Sequence, residues 1–165
     1  ELIKLANRHP RVNILNPGAG VGGHCIAVDP WFIVHAGQET AKLIKTSREV
    51  NNYKAEWVIE KIKYAALKFE NENGRKAKVA VMGLAFKPDI DDLRESPAVY
   101  ITRKLVANRL DILVVEPNIE THEEFKIMSY KEALEMADLI TFLVAHKEFK
   151  KLDVKSDLDF CGVLN

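Results

Sequence analysis

Lys78-Val-Ala-Val-Met-Gly-Leu-Ala-Phe-Lys-Pro-Asp-Ile-Asp-Asp-Leu-Arg-Glu-Ser-Pro97 is the stretch on which the fold turns. Val79–Met82 reads as a short apolar strand, a glycine and a charged loop follow, and Ser96-Pro97 opens a helix that reaches about Asn108. The pattern then repeats. Ile112–Val115 reads as a second strand, Lys131–Ala137 as a short helix and Leu139–Val144 as a third strand. Strands that alternate with helices imply a parallel sheet with crossover connections, an α/β architecture.

Upstream of Lys78 the pattern is helical. Residues 1–9 read as the end of a helix stopped at Pro10, and Val12–Leu15 as a short extended run. A glycine-rich loop follows, and Asp29-Pro30 reads as a helix start, with Asp as N-cap and Pro at the first helical position. That helix, Trp31–Ala36, is short and ends at Gly37. A long helix is expected from about Glu39 to Asn71, with Leu43, Ile44, Val50, Trp57, Val58, Ile62 and Ala65 at roughly helical spacing and Gly74 closing it. Its length exceeds the usual globular helix, as in helices that link domains or pack against a second copy. The expected units are therefore 1–75 and 76–165. The chain starts inside a helix without an initiator methionine and stops as an apolar segment begins at Gly162, so a fragment of a longer protein, incomplete at its C-terminus, is expected.

Bulk composition narrows the function. Lys+Arg and Asp+Glu are both 24 among 165 residues, so no basic excess points to nucleic acid or a membrane surface. Hydrophobic content of 47% suits a packed core, and no apolar run approaches a membrane span. Two distant cysteines, Cys25 and Cys161, make neither a disulfide framework nor a zinc site. A reducing, cytoplasmic setting is expected.

Chemistry concentrates in two clusters. The first is Asn16-Pro-Gly-Ala-Gly-Val-Gly-Gly-His-Cys-Ile-Ala-Val-Asp-Pro30. Gly18-x-Gly20-x-x-Gly23 matches a dinucleotide fingerprint literally, but that reading needs a helix opening at the loop. A structural tight turn and a ligand-cradling loop presenting Cys25 are the other readings. Beside such a loop, Cys25 is a candidate nucleophile, since a thiolate can bond reversibly to a carbonyl carbon. His24 adjoins it, and Asp29 can cap a helix with one oxygen and hold a water with the other. The second cluster lies between the first strand and first helix of the C-terminal unit, at a strand's carboxyl end, where open α/β sheets bind ligands. Lys87 and Arg94 suit phosphate or carboxylate groups. The alternative is a solvated loop in which Asp91, Asp92 and Glu95 pair with Arg94. Glu116, after the second strand, resembles an acidic ribose ligand, at longer spacing from Gly83 than usual.

Together these clusters resemble the UDP-glucose/GDP-mannose dehydrogenase family. Gly-x-Gly-x-Gly-Gly-x-Cys-x-x-x-Asp resembles its catalytic-cysteine segment, Gly83–Pro97 the start of its nucleotide-sugar-binding domain, and the long helix its central helix. His-Cys-Ile-Ala-Val-Asp-Pro-Trp-Phe is most similar to the UDP-N-acetyl-D-mannosamine dehydrogenase branch. Val28 stands where other branches have lysine, and Ala19 where proline is common.

The resemblance implies a helical segment with a long central, dimerising helix, then a Rossmann-like parallel-sheet domain that binds a UDP-sugar. It implies oxidation of the sugar C6 hydroxyl to a carboxylate with two NAD+ and one water, in polysaccharide biosynthesis. A first hydride transfer gives an aldehyde, which the Cys25 thiol adds to as a thiohemiacetal. A second hydride transfer gives a thioester, which water hydrolyses. By resemblance, Cys25 and Asp29 are catalytic. Arg11, Asn16, Gly18, Gly20, Gly22, Phe86 and Lys87 bind substrate, and Arg94 with Cys25 faces NAD. Arg11 corresponds to an arginine that reaches a neighbouring subunit's substrate, at shorter spacing from the cysteine than in UDP-glucose enzymes. The family's NAD-binding domain and its catalytic lysine and asparagine belong upstream, so this chain alone is expected not to turn over. Ile3–Asn7 only imitates the helix that carries them. The rival readings are a non-catalytic nucleotide-sugar-binding or dimerisation module, and a thiol hydrolase pairing Cys25 with one of the five histidines.

Overall fold

The computed structural model describes residues 1–156 and 158–164. Its centre is β1 (Lys78–Met82), an inner strand of a four-stranded parallel sheet in the order β2-β1-β3-β4. The others are β2 (Asp111–Val115), β3 (Leu139–Phe142) and β4 (Leu158–Asp159). Successive side chains of a strand point to opposite faces, so β1 serves two cores. Val79 and Val81 pack with Val58, Ile62, Ile101 and Leu105; Ala80 and Met82 pack with Val115, Phe142 and Phe149. Both faces are covered, which is why the strand reads as an unbroken apolar run. Each such side chain, fully buried, contributes about 1.5–3 kcal/mol.

The covering helices are capped by their sequences. At α4 (Pro97–Ala107), the Ser96 hydroxyl accepts from the Ala98 and Val99 amides and donates to the Leu84 carbonyl at 2.5 Å. Pro97 opens the helix with the fixed φ that this position favours. At α5 (Tyr130–Met136), Ser129 and Glu132 form a reciprocal capping box.

The helical segment contains α1 (Leu2–Ala6), α2 (Asp29–Gly37), a 3-10 turn at Gln38–Ala41, and α3 (Lys42–Asn73). α3 is 32 residues long and ends at Gly74, whose φ of 68° is the left-handed conformation glycine adopts without strain. Its second half joins the sheet: Ala55, Val58, Ile59 and Ile62 share one core with Val79, Val81, Ile101 and Leu105. The sequence boundary near residue 75 therefore runs through a single packed core. No helix among the described residues is long and apolar enough to cross a membrane.

Val12–Leu15, the extended run, is held by Asn7, which takes both backbone groups of Ile14 at 2.6 and 3.0 Å. Two local expectations differ from the structure. Asp29 is the first residue of α2 rather than its cap, and among the described residues no side chain caps that helix end. Its charge still lies in the first turn, where the helix dipole favours an anion. β3 stops at Phe142, because the Leu143 and Val144 amides both turn toward the Met82 carbonyl. β4, two residues long, left no pattern to read.

The strand order switches at β1. β2 lies on one side of it and β3 on the other. Such a switch point opens a crevice at the carboxyl ends of the strands, where open α/β sheets take their ligands.

Candidate active site

The loop after β1 is fixed before any ligand arrives. Gly83 has φ of 100°, and a Cβ there would sit 2.5 Å from Val144 Cβ, so only glycine fits. Glu116, buried at the end of β2, accepts the Leu84 and Ala85 amides at 2.7 and 2.9 Å through one oxygen. Its other oxygen accepts from the backbone and side-chain nitrogens of Asn118. His146, also buried, has its Nε2 3.1 Å from Glu116, and its Nδ1 accepts the Asp89 amide at 3.0 Å. An accepting Nδ1 leaves the proton on Nε2, facing the carboxylate. Asp89 in turn accepts the Lys147 amide at 2.8 Å. Phe86 and Lys87 are thus held between two anchored points.

Burial alone would push the Glu116 carboxyl up. The His146 bond and the two backbone donors outweigh it and bring the group down to about 2. With both oxygens engaged, Glu116 is an internal anchor and has no acceptor left for a ribose hydroxyl.

The glycine loop docks onto this platform. The Gly23 amide donates to the Arg94 carbonyl at 3.1 Å. A Cβ on Gly22 would meet the Glu95 carbonyl at 2.3 Å, and one on Gly23 the Phe86 ring at 2.9 Å. Gly20 lies against Pro97. From the other side, the Asn51 side chain takes both backbone groups of Val21, at 2.8 and 3.3 Å. The two sequence clusters, some sixty residues apart, form one surface.

Cys25 follows two residues after Gly23 and is a free, exposed thiol. Its carbonyl accepts the Val28 and Asp29 amides at 3.0 and 2.8 Å, a helical turn that leads into α2 and sets exposed Asp29 one turn on. Among the described residues no histidine hydrogen-bonds to Cys25. Arg94 grips Asp92 through Nε and Nη2, at 2.5–3.0 Å. Those bonds to Arg94 hold the Asp92 carboxyl at about 2, with a smaller effect from His24. They raise the Arg94 guanidinium in turn, and Cys25 adds a lesser electrostatic effect of the same sign. Arg94 is therefore a fixed cation within electrostatic reach of the thiol.

Other residues stand apart. Arg11 and Asn16 are exposed, and neither side chain makes a hydrogen bond among the described residues. Gly18 faces open space. Lys87 is exposed, its Nζ 5.7 Å from the Phe86 ring centroid. Sequence reasoning missed Asn51, Asn118 and His146. None belongs to a spaced motif, and only the fold brings them to the loops.

For NAD the fit is partial. No helix opens at Gly18–Gly23, since α2 begins at Asp29, beyond the thiol. Gly20, Gly22 and Gly23 pack against the segment after β1 on the sides where a Cβ would sit.

The sheet, its switch point and the docked thiol loop define an α/β protein with a ligand crevice at the carboxyl ends of its strands. Residues 80–159 match the UDP binding domain of the UDP-glucose/GDP-mannose dehydrogenase family, and residues 1–53 match its central domain. The chain belongs to the UDP-glucose/GDP-mannose dehydrogenase family. It is 55% identical to a UDP-N-acetyl-D-mannosamine dehydrogenase of Campylobacter jejuni over 98% of this chain and 40% of that protein. It is 52% identical to an NDP-N-acetyl-D-galactosaminuronic acid dehydrogenase of Ralstonia solanacearum over 93% of this chain and 36% of that protein. Among solved structures it is similar to the UDP-D-ManNAc dehydrogenase of Pyrococcus horikoshii, with TM-score 0.74 and 34% identity over 92% of this chain and 35% of that one. The chain spans about two-fifths or less of the length of these relatives.

Proposed function

We propose that this chain is the cysteine-bearing and nucleotide-sugar-binding part of an NAD-dependent 6-dehydrogenase that converts UDP-N-acetylmannosamine to its uronate. Residues 1–75 supply the thiol loop and the long helix, and residues 76–165 bind the UDP-sugar. The observation that carries this reading is the Gly23–Arg94 bond, which ties an exposed thiol to the loop bearing Phe86 and Lys87.

In this reading Asn16, Gly18, Gly20 and Gly22 wrap the sugar and its phosphates, and Lys87 and Phe86 contact the substrate. Arg11 reaches a neighbouring copy's substrate. The Cys25 sulfur adds to the C6 aldehyde, and the carbonyl oxygen takes a proton. Loss of hydride from that carbon and of the proton from its hydroxyl leaves a thioester. Water, positioned by Asp29, then attacks, and the thiol departs to leave the acid. A thiol suits both steps, as nucleophile and as leaving group. The covalent bond also keeps a reactive aldehyde from escaping. NAD, when bound, supplies the hydride acceptor, with Arg94 the residue suited to hold it.

A second copy is proposed along α3. Leu43, Val50, Trp57 and Tyr64 recur every seven residues, and Leu43, Val50, Tyr64 and Leu67 are 57–80% exposed. At 100° per residue this stripe lies roughly opposite the core-facing Ala55, Val58, Ile59 and Ile62. A cytoplasmic location accords with an exposed reduced thiol.

Calorimetric titration of this chain with UDP tests the binding half: saturable binding that Lys87→Ala weakens supports it, and no binding sinks it. The covalent half is tested in a fusion that places the preceding part of the Campylobacter jejuni relative ahead of Glu1. Acid should form there, and Cys25→Ser should abolish it. Wild-type rates in Cys25→Ser, or UDP binding with an inert Cys25, would favour a non-catalytic binding module.

A further inference from the structure

Behind the glycine loop, between α3 and α4, lies a second cavity of about 530 Å³. Val21, Ala27, Asn52, Glu56, Pro97 and Tyr100 are among its walls, whereas Cys25, Phe86 and Lys87 are not. Arg48 also lines it, from the core side of α3, with only 9% of its surface exposed. A guanidinium stays charged at any ordinary pH and carries five donors. Burying it without acceptors is costly, so buried arginines are normally paired.

Among the described residues Arg48 has no ion-pair partner. Its Nε is buried without a partner, and its one side-chain bond is Nη2 to Asn52 at 3.5 Å, the outer limit of a hydrogen bond. The nearby groups are otherwise engaged. Glu56 accepts the Tyr100 hydroxyl, and the cavity's other cation, Arg103, is bound to Glu124. Glu95, at the rim, forms no ion pair among the described residues.

We propose that this cavity is an oxyanion site, in which the Arg48 guanidinium holds a carboxylate or phosphate. Bidentate oxyanions match the guanidinium edge, and the volume falls within the range of small-molecule sites. Ala27, Pro97 and the Tyr100 ring favour an anion with an apolar body. The anion comes either from a free small molecule or from an acidic side chain of a second copy. Because Val21 and Ala27 flank the thiol loop from beneath, occupancy stiffens the segment carrying Cys25. The inference goes beyond the proposed function and does not depend on it.

The test follows the Nε–H resonance of Arg48 in the isotope-labelled chain, assigned through bond connectivities and checked with Arg48→Lys. At constant ionic strength, inorganic phosphate or succinate should shift that resonance saturably, and calorimetric titration should show Arg48→Lys binding the same anion about tenfold or more weakly than the parent. If a second copy supplies the anion, the resonance should instead move on dilution, in step with the sedimentation coefficient. A signal that neither added anions nor dilution moves overturns the site. So does one that Glu95→Gln alone displaces, which would mean an internal ion pair. A uniform drift of all arginine signals would overturn it too, as non-specific binding.

Discussion

The amide of Gly23 donates a hydrogen bond to the carbonyl of Arg94 at 3.1 Å. This bond joins two segments that sequence distance keeps far apart. It needs a bare glycine edge next door: a Cβ on Gly22 would lie 2.3 Å from the Glu95 carbonyl, a backbone atom that cannot swing away.

Gly22→Ala should therefore lift the thiol loop off its platform. The cost expected from such overpacking is about 1–3 kcal/mol, read as a lower melting temperature and faster exchange of the Gly23 amide. Gly18→Ala, with nothing within 4 Å, should stay within about 0.5 kcal/mol of the parent. Equal effects at the two positions would contradict the docking geometry.

The two thiols should react unequally. Cys25 is exposed, whereas burial pushes the Cys161 thiol up to about 12, with Asp159 adding to the shift. The thiolate is the reactive form, so near pH 8 only a tiny fraction of Cys161 is available. Iodoacetamide on the native chain should label Cys25 alone, by peptide mass, and label both thiols in denaturant. Native labelling at Cys161 would refute this.

Glu116 should govern acid stability. Its folded carboxyl sits at about 2, below its ordinary value. A depressed group stabilises the fold above its unfolded pKa, and that stability is lost as pH falls toward the folded value. The contribution is on the order of 3 kcal/mol, fading between about pH 5 and pH 2 in urea titrations. Glu116→Gln with its oxygen toward Leu84, Ala85 and His146 turns its amide toward the two Asn118 nitrogens, donor against donor, and loses the negative charge beside His146. It should destabilise at neutral pH by about 1–3 kcal/mol and flatten that acid limb. An unchanged acid limb would show that the anchor carries no linked protons.

The outward stripe of α3 should hold two copies together. Val50→Glu with Tyr64→Glu, both on exposed positions, should leave helicity and melting of the isolated chain nearly intact. Sedimentation should shift from dimer to monomer. A monomeric parent chain would remove the stripe's proposed role.

Much of this protein was legible in its residues. The apolar runs at Val79–Met82 and Ile112–Val115, the Ser96-Pro97 opening and the Gly74 stop each appear within a residue or two of their expected positions. These are local signals: strand runs, caps and a left-handed stop depend on neighbours in the chain. Cys25 and the charged loop were also visible, because glycine spacing and residue chemistry are written in order. What the tertiary structure alone decided is which distant groups meet. Asn51 closes on Val21, Glu116 gathers Leu84, Ala85 and His146, and Arg48 Nε is buried without a partner among the described residues. Hydrogen bonding and burial depend on through-space distance, set by the strand order and the α3–α4 packing, and neither has a period or spacing in the chain.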